Sequence, residues 1–181
     1  RKIHLPLIEK DYFLQGTEPQ VFNTAIGKIG IIICYELFFP EPARMVAVKG
    51  AEICVFIGFV AVRDAKETAE GKGGGVGIGE EKQYLFNTAP RIRALENQVC
   101  FVACTAGGKH DMGGSTGLWQ RAGHSKIINN FGDILAESQL DSEDLVIGTL
   151  KATDLRLGRA AYPMLKDRRP WMYGSLMNKD L

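Results

Sequence analysis

Three short apolar runs mark the first part of the chain. They cover residues 28–33, 51–58 and 99–106, and each is nearly continuous rather than alternating. Such runs are typical of strands that are buried on both faces of a sheet. Residues 40–50 begin with prolines, continue with helix formers and end in glycine, which predicts a helix. The order strand, helix, strand predicts a βαβ unit with parallel strands and a right-handed crossover.

Turns and helical periodicity predict the other elements. Residues 20–24 and 28–33 flank a tight turn and predict a β-hairpin. Helical periodicity runs from Glu80 to Gln98, and Pro90 is expected to break or restart this helix. Short apolar segments between turns predict the remaining strands, at residues 123–130, 134–136 and 145–150, before a short helix that starts at Thr153.

A glycine-rich segment, residues 71–79, interrupts this order. Glycine-rich loops can bind phosphates through backbone N–H groups. Here no Gly-Lys-Ser or Gly-Lys-Thr follows, and no strand leads the glycines directly into a helix. The segment therefore favours a mobile surface loop, which we expect to act as a flap near the mouth of a site.

Composition indicates a single domain over residues 1–181. With 45% hydrophobic residues, a chain of 181 residues can form one sizeable core. Its 22 basic and 21 acidic residues give a formal charge of +1, so neither nucleic acid nor a membrane surface is expected as a partner. A small-molecule site fits this balance better. No apolar run approaches the ~20 residues that a membrane-spanning helix requires.

The four cysteines lie in or beside apolar runs, at Cys34, Cys54, Cys100 and Cys104. They form no Cys-x-x-Cys pair, and no histidine stands at ligand spacing, so no metal site is expected. The pattern is typical of reduced thiols in a cytoplasmic protein.

Cys34 is distinctive because it follows directly after the isoleucine-rich run of residues 28–33. In open α/β sheets, the loops beyond the carboxyl ends of the strands carry the chemistry. A thiol at a strand-to-helix turn is favoured as the thiolate by backbone N–H groups and by the helix dipole. Cys34 is therefore a candidate nucleophile. The alternative is that Cys34 is a small buried hydrophobic residue, as free cysteines often are.

Short motifs follow one another along the chain. They are Arg1-Lys2-x-His4-Leu5, Glu9-Lys10-x-Tyr12-Phe13-x-x-Gly16, Gly27-Lys28-Ile29-Gly30-x-x-Ile33-Cys34-Tyr35-Glu36-x-x-Phe39-Pro40-Glu41, Lys49-Gly50-Ala51-Glu52, Arg93-Ala94-x-Glu96-Asn97, Gly123-His124-Ser125 with Phe131-Gly132, and Asp167-Arg168-Arg169-Pro170. In this order they resemble the nitrilase superfamily of carbon–nitrogen hydrolases.

The resemblance implies roles for individual residues. Cys34 matches the cysteine nucleophile of the family, Lys2 matches its lysine, and Glu9 matches the second glutamate, which supports the site. The Lys2 ammonium and the backbone N–H of Tyr35 would stabilise the developing oxyanion. Without the resemblance, Lys2 and Glu9 would be read as ordinary solvated residues.

Position in the expected sheet suggests further roles. Substrate contacts are expected where the second and third parallel strands end, at Phe59, Val60 and Thr105. Glu36 and Glu41, next to Arg44, are expected to form a structural ion-pair network around the turn.

The resemblance also implies an α/β fold, the αββα sandwich of the family, incomplete here at its N-terminus. Family members carry a segment before the lysine motif that includes a general-base glutamate, so we expect a longer enzyme to supply that segment. The implied function is hydrolysis of a non-peptide C–N bond in a small amide or N-carbamoyl compound through a cysteine thioester, without a cofactor, in a homo-oligomer. Alternatives are a non-catalytic or regulatory subunit, nitrile hydrolysis, and glutaminase-type ammonia release.

Overall fold

The computed structural model describes residues 1–6, 9–63, 80–111, 118–139 and 143–178. Its helices are α1 (Glu9–Tyr12), α2 (Pro40–Val48), α3 (Glu80–Asn97) and α4 (Ala152–Ala161). Its strands are β1 (Val21–Thr24), β2 (Gly27–Ile33), β3 (Ile53–Gly58), β4 (Ala61–Arg63), β5 (Cys100–Thr105), β6 (Lys109–Asp111), β7 (Leu118–Arg121), β8 (Lys126–Ile128) and β9 (Ile134–Glu137). Short 3-10 segments cover Cys34–Phe38, Pro170–Met172 and Gly174–Met177.

A six-stranded sheet with the order β1-β2-β3-β5-β8-β9 forms the centre of the structure. β2, β3 and β5 are parallel, whereas β1, β8 and β9 each pair antiparallel with a neighbour. The predicted hairpin is β1–β2 and the predicted βαβ unit is β2–α2–β3, so both predictions are confirmed. Because parallel strands end at one edge, the loops after β2, β3 and β5 meet there.

The core lies between one face of this sheet and the helices α2 and α3. Phe56 of β3 and Phe101 of β5 are fully buried there, and the rings of Phe56 and Phe86 of α3 are 5.9 Å apart. α2 lies so close to β2 that a Cβ at Gly30 would be 2.5 Å from the Cβ of Val46. Glycine at this position therefore sets how closely the helix approaches the sheet.

The opposite face of the sheet is also apolar, but it is less covered. Successive residues of a strand point to opposite faces, so the residues that flank Phe56 and Phe101 in sequence point to this less covered face. Ile57 is 52% exposed, and Val55 and Val102 are half-buried. Apolar residues on both faces agree with the continuous apolar runs of the sequence. The described residues thus form an α/β structure. The six-stranded sheet and the helices on its covered face correspond to one α layer and one β layer of the expected αββα sandwich.

Residues 145–150 do not form a strand, so that prediction is wrong. The segment lies against the less covered face, because a Cβ at Gly148 would be 3.3 Å from Cδ1 of Ile127. Leu145 and Ile147 point away from the sheet and are 79% and 77% exposed. The segment is apolar like a strand, but it pairs with none of the strands of the described residues.

A three-stranded antiparallel sheet, with the order β4-β7-β6, lies beside the carboxyl ends of the parallel strands. β4 starts directly after the loop that leaves β3. The backbone N–H of Ala122 donates to the carbonyl oxygen of Val60 at 2.8 Å, and that of Gly123 donates to Ala106 at 3.0 Å. These bonds hold the small sheet at the edge where β2 ends.

α3 continues through Pro90, so the predicted break at this residue is wrong. A proline inside a helix removes a hydrogen bond and costs about 3 kcal/mol. Phe86, Ala89 and Ala94 of the same helix are buried in the core, and their burial offsets that cost. The glycine-rich segment, residues 71–79, lies outside the described residues.

The C-terminal helix is attached to the sheet by polar side chains. α4 begins at Ala152, just before the predicted start. The side-chain amide of Gln98 donates to the carbonyl oxygens of Gly158 and Tyr162 at 3.0 and 2.6 Å. Arg159 donates to the carbonyl oxygen of Ala51 at 2.7 Å. α4 is therefore fixed at the amino end of β3 and β5, away from the edge where β2 ends.

Candidate active site

Cys34 lies at the turn between β2 and the 3-10 segment Cys34–Phe38, as predicted. Its φ of 50° lies in the left-handed region, which is costly for a residue with a side chain and is often found at functional sites. The turn leaves Cys34 half-buried, whereas Ile32 before it is fully buried. The thiol lies 4.0 Å from the carbonyl oxygen of Phe59. The turn therefore presents the thiol to the loop that leaves β3.

Gly58, the last residue of β3, makes room for this turn. A Cβ at Gly58 would lie 3.1 Å from the Cα of Cys34 and 2.5 Å from Cζ of Phe56. Any side chain here would displace the turn or the core ring. The close approach explains why the apolar run of β3 ends in glycine.

The Glu36 carboxylate anchors the turn to the N-terminal segment. Glu36 is only 2% exposed, and its Oε2 accepts a hydrogen bond from the backbone N–H of Ile33 at 2.7 Å. Its Oε1 accepts a second one from the backbone N–H of Ile3. Hydrogen bonds to an ionised acceptor are stronger than neutral ones. One buried side chain thus joins residues that are far apart in sequence.

Lys2 precedes Ile3 and is therefore held near the same turn. Its Nζ forms an ion pair with Oε2 of Glu9 at 2.6 Å, and the two side chains are 12% and 33% exposed. The backbone N–H of Gly16 donates to the carbonyl oxygen of Lys2 at 2.7 Å, which closes the N-terminal segment on itself. Through Glu36, the structure brings the predicted catalytic residues Cys34, Lys2 and Glu9 to one end of the sheet.

The expected oxyanion donor, Tyr35, occupies the first turn of the 3-10 segment. The first N–H groups of a helix have no partner within the helix, so they can donate to a ligand. The Tyr35 ring packs against Phe38 and Phe39 at centroid distances of 5.4 and 5.2 Å. His4 stacks on Phe39 at 4.0 Å. This aromatic cluster holds the turn in place from outside the sheet.

The residues predicted to contact substrate occupy different positions. Phe59 is 44% exposed beside the thiol, and Val60 is half-buried. Thr105 is buried, and its hydroxyl accepts a hydrogen bond from the backbone N–H of Val60 at 3.2 Å. Thr105 therefore shapes the loop, and Phe59 is better placed for a direct contact with substrate.

Ser125 belongs to the Gly-His-Ser motif but had no predicted role. The backbone N–H of Thr105 donates to Oγ of Ser125 at 3.1 Å, and the Ser125 hydroxyl donates to the carbonyl oxygen of Thr105 at 2.9 Å. This pair of bonds fixes the end of β5 against the chain that enters β8. The Gly-His-Ser motif was the sequence signal that pointed to Ser125. The residue that Ser125 binds, Thr105, lies on another strand.

The predicted network of Glu36 and Glu41 with Arg44 is wrong. Among the ion pairs of the described residues, neither glutamate pairs with Arg44. Glu36 binds backbone N–H groups instead. Burial lowers the pKa of the Arg44 guanidinium, and the carboxylate of Glu96 opposes this effect.

Lys126 is a buried charge that the apolar pattern does not reveal. It is 2% exposed, and its Nζ donates to Oε1 of Glu137 at 2.8 Å and to Oδ1 of Asn87 at 3.2 Å. The ammonium also lies 5.2 Å from the centre of the Phe86 ring. These contacts tie the antiparallel strands to α3, and they satisfy a charge that would be costly to bury alone.

Within the described ranges, no helix has the length and the apolar composition to cross a membrane. In the same ranges, no group of three or more His, Cys, Asp or Glu side chains is placed to hold a metal ion. His124, which precedes Ser125, contacts Oε1 of Glu137 at 3.4 Å.

Brief iodoacetamide treatment at neutral pH is expected to label Cys34 at least about tenfold faster than the other thiols. Burial raises the pKa of the Cys54 thiol far above its usual range, with a smaller contribution from the Glu36 carboxylate, and burial also raises the pKa of Cys100. Cys104 is exposed and serves as the internal control for access. Peptide mass spectrometry over time measures the rates. Faster labelling of Cys104 would show that access alone sets reactivity.

The fold agrees with comparisons to known proteins. A family model described as carbon–nitrogen hydrolase matches residues 1–160. The chain belongs to the carbon–nitrogen hydrolase family, which confirms the resemblance of its motifs. It is similar to a solved carbon–nitrogen hydrolase from Helicobacter pylori G27, with a TM-score of 0.85, 25% identity, and coverage of 100% of this chain and 61% of that one.

Two curated relatives match this chain over nearly its whole length and over a similar share of their own length. A probable nitrilase of Schizosaccharomyces pombe is 28% identical over 98% of this chain and 57% of its own length. An N-carbamoylputrescine amidase of Arabidopsis thaliana is 29% identical over 99% of this chain and 59% of its own length. The chain thus spans 57% and 59% of the length of these two relatives.

Proposed function

We propose that the protein of which this chain forms at least a part hydrolyses the C–N bond of a small amide or N-carbamoyl compound, with Cys34 as the nucleophile. The observation that carries the proposal is the Glu36 carboxylate, which binds both the Cys34 turn and the segment that bears Lys2. The names of relatives support the reaction class, because they include an amidase that acts on an N-carbamoyl compound.

In the proposed mechanism, the Cys34 thiolate attacks the carbonyl carbon of the amide and forms a tetrahedral intermediate. The Lys2 ammonium and the backbone N–H of Tyr35 stabilise the oxyanion, a type of contact that often supplies the largest share of catalysis. Glu9, ion-paired with Lys2 at 2.6 Å, holds the ammonium in place.

The intermediate collapses when the C–N bond breaks. The proton released by the thiol passes through a general-base carboxylate to the nitrogen, which leaves as ammonia, and a thioester on Cys34 remains. Water then attacks the thioester, with its proton taken by the same base. The base returns this proton to the Cys34 sulfur as the C–S bond breaks, so an amide gives ammonia, the carboxylic acid and the free thiol. An N-carbamoyl compound gives a carbamic acid in place of the carboxylic acid.

Trapping the thioester tests the proposal. The protein is incubated with an amide, quenched in acid and digested, and the peptide that contains Cys34 is expected to gain the mass of the acyl group. Treatment with hydroxylamine should remove this mass, as it does for thioesters. Turnover without any acyl group on this peptide, under rapid quenching, would reject covalent catalysis by Cys34.

A further inference from the structure

A relay of three hydrogen bonds leads from Ser125 to the loop beside the Cys34 thiol. The Ser125 hydroxyl accepts from the backbone N–H of Thr105 at 3.1 Å and donates to the carbonyl oxygen of the same residue at 2.9 Å. The Thr105 hydroxyl in turn accepts from the backbone N–H of Val60 at 3.2 Å. The residue before Val60 is Phe59, whose carbonyl oxygen lies 4.0 Å from the thiol. The relay thus ends beside the nucleophile.

The last bond of the relay also orients the Phe59 carbonyl. The carbonyl of Phe59 and the N–H of Val60 belong to one peptide group, which is trans. In a planar trans peptide the C=O and N–H bonds point in opposite directions. Because the Thr105 hydroxyl binds the N–H on one side, it directs the carbonyl oxygen to the other side, where Cys34 lies. Rotation of this one peptide plane would turn the oxygen away from the thiol and leave the strands intact.

Both residues that supply the hydroxyls are held by strands. The carbonyl oxygen of Ser125 accepts from the backbone N–H of Ser138 at 2.8 Å, and the next residue, Lys126, is buried as part of β8. Thr105 is buried and pairs in register with Gly58, the last residue of β3. Side chains on strands hold a site more precisely than side chains on loops. The relay therefore connects the loop to a rigid support.

We propose that Ser125 and Thr105 are positioning residues of the active site. They act through the Val60 N–H and aim the Phe59 carbonyl at the Cys34 thiol. The inference rests on the proposed function, because it gives the two residues a part in catalysis and not only in stability. The carbonyl restricts how an amide can approach the thiol, and a misplacement of about 1 Å near reacting atoms can cost about 100-fold in rate.

Substitutions that nearly keep the size of each side chain test this role. Thr105→Val removes the acceptor for the Val60 N–H, whereas Thr105→Ser keeps a hydroxyl. We expect Thr105→Val and Ser125→Ala each to lower kcat per folded molecule by about 10- to 100-fold, with less than about threefold change in KM, because the loop acts on the geometry of attack. Thr105→Ser should stay within about threefold of the wild-type kcat. Steady-state kinetics and thermal unfolding supply these values.

Hydrogen exchange by NMR reports on the relay without any substrate. The Val60 amide should exchange faster in Thr105→Val, which removes its acceptor. It should also exchange faster in Ser125→Ala, where the acceptor is present but no longer held, and by more than any change that the other amides share. The losses in kcat should not add in the double variant, because each substitution breaks the same relay.

The matched control is Thr24→Val. The Thr24 hydroxyl also accepts from a backbone N–H, that of Ile26 at 3.3 Å. It does so in the turn between β1 and β2, at the opposite end of β2 from Cys34. This control should change kcat by less than about twofold, and its effect should add to that of Ser125→Ala.

The outcomes separate the relay from the proposed function. An unchanged kcat per folded molecule, additive losses in the double variant, or unchanged exchange of the Val60 amide in Ser125→Ala would overturn the positioning role and leave Cys34 catalysis intact. If Val60 exchanged faster in both variants and kcat fell as expected, but the wild-type protein turned over without a thioester on Cys34, the relay would be supported and the proposed mechanism rejected.

Discussion

Cys34→Ala is expected to lower kcat for amide hydrolysis by about 10⁴-fold or more, because the covalent route disappears when the nucleophile is removed. The variant should remain folded. Alanine at this position has the same φ requirement of 50° as cysteine, and the half-buried thiol makes no hydrogen bond shorter than 4.0 Å among those of the described residues. Steady-state rates of ammonia release and thermal unfolding measure the two quantities.

Cys104→Ala is the matched control for this experiment. Cys104 is an exposed thiol at the carboxyl end of β5 and pairs in register with Ile57 of β3. It therefore lies at the same edge of the sheet as Cys34 but outside the turn. We expect its removal to change kcat by less than about twofold. A Cys34→Ala protein that keeps more than about 1% of wild-type activity, or a comparable loss in Cys104→Ala, would contradict the assignment of the nucleophile.

Local patterns were sufficient to predict the βαβ unit and the position of Cys34. The apolar runs and the Pro-to-Gly helix between them are properties of neighbouring residues, and the structure reproduces them as β2, α2 and β3. The cysteine follows the first run directly, so its place at the end of a buried strand needed no long-range information. The motifs added Lys2 and Glu9, which the sequence alone would leave as surface charges.

Features that depend on contacts between distant residues were not predictable in this way. Pro90 stays inside α3 because core packing outweighs a local preference. Residues 145–150 are largely apolar, as in a strand, but strand formation needs a partner. Arg121 reaches Phe59 only because β7 pairs with β4. For Pro90 and for residues 145–150 a local signal was present, and the tertiary structure decided its meaning.

Glu36 is the clearest example of a contact between distant residues that the sequence does not reveal. Its substitution is expected to have a large effect on the free energy of unfolding. Its two oxygens accept hydrogen bonds from the backbone N–H groups of Ile3 and Ile33, so removal of the carboxylate leaves two partly buried donors unpaired. Each unpaired buried donor costs about 1–3 kcal/mol. Glu36→Ala is therefore expected to lower the free energy of unfolding by about 2–5 kcal/mol. Glu36→Gln keeps one oxygen acceptor and should lose about half as much.

Urea unfolding measures the free energies, and hydrogen exchange by NMR reports on each bond. In Glu36→Gln, which should remain folded, one of the two amides, that of Ile3 or that of Ile33, is expected to exchange faster, because the oxygen of glutamine can still accept a hydrogen bond but its amide nitrogen cannot. Glu41→Gln is the matched control, since Glu41 is an exposed acid in the first turn of α2, and it should change the free energy of unfolding by less than about 0.5 kcal/mol. If Glu36→Gln left the exchange of both amides unchanged, the carboxylate would not be what joins the Lys2 segment to the Cys34 turn.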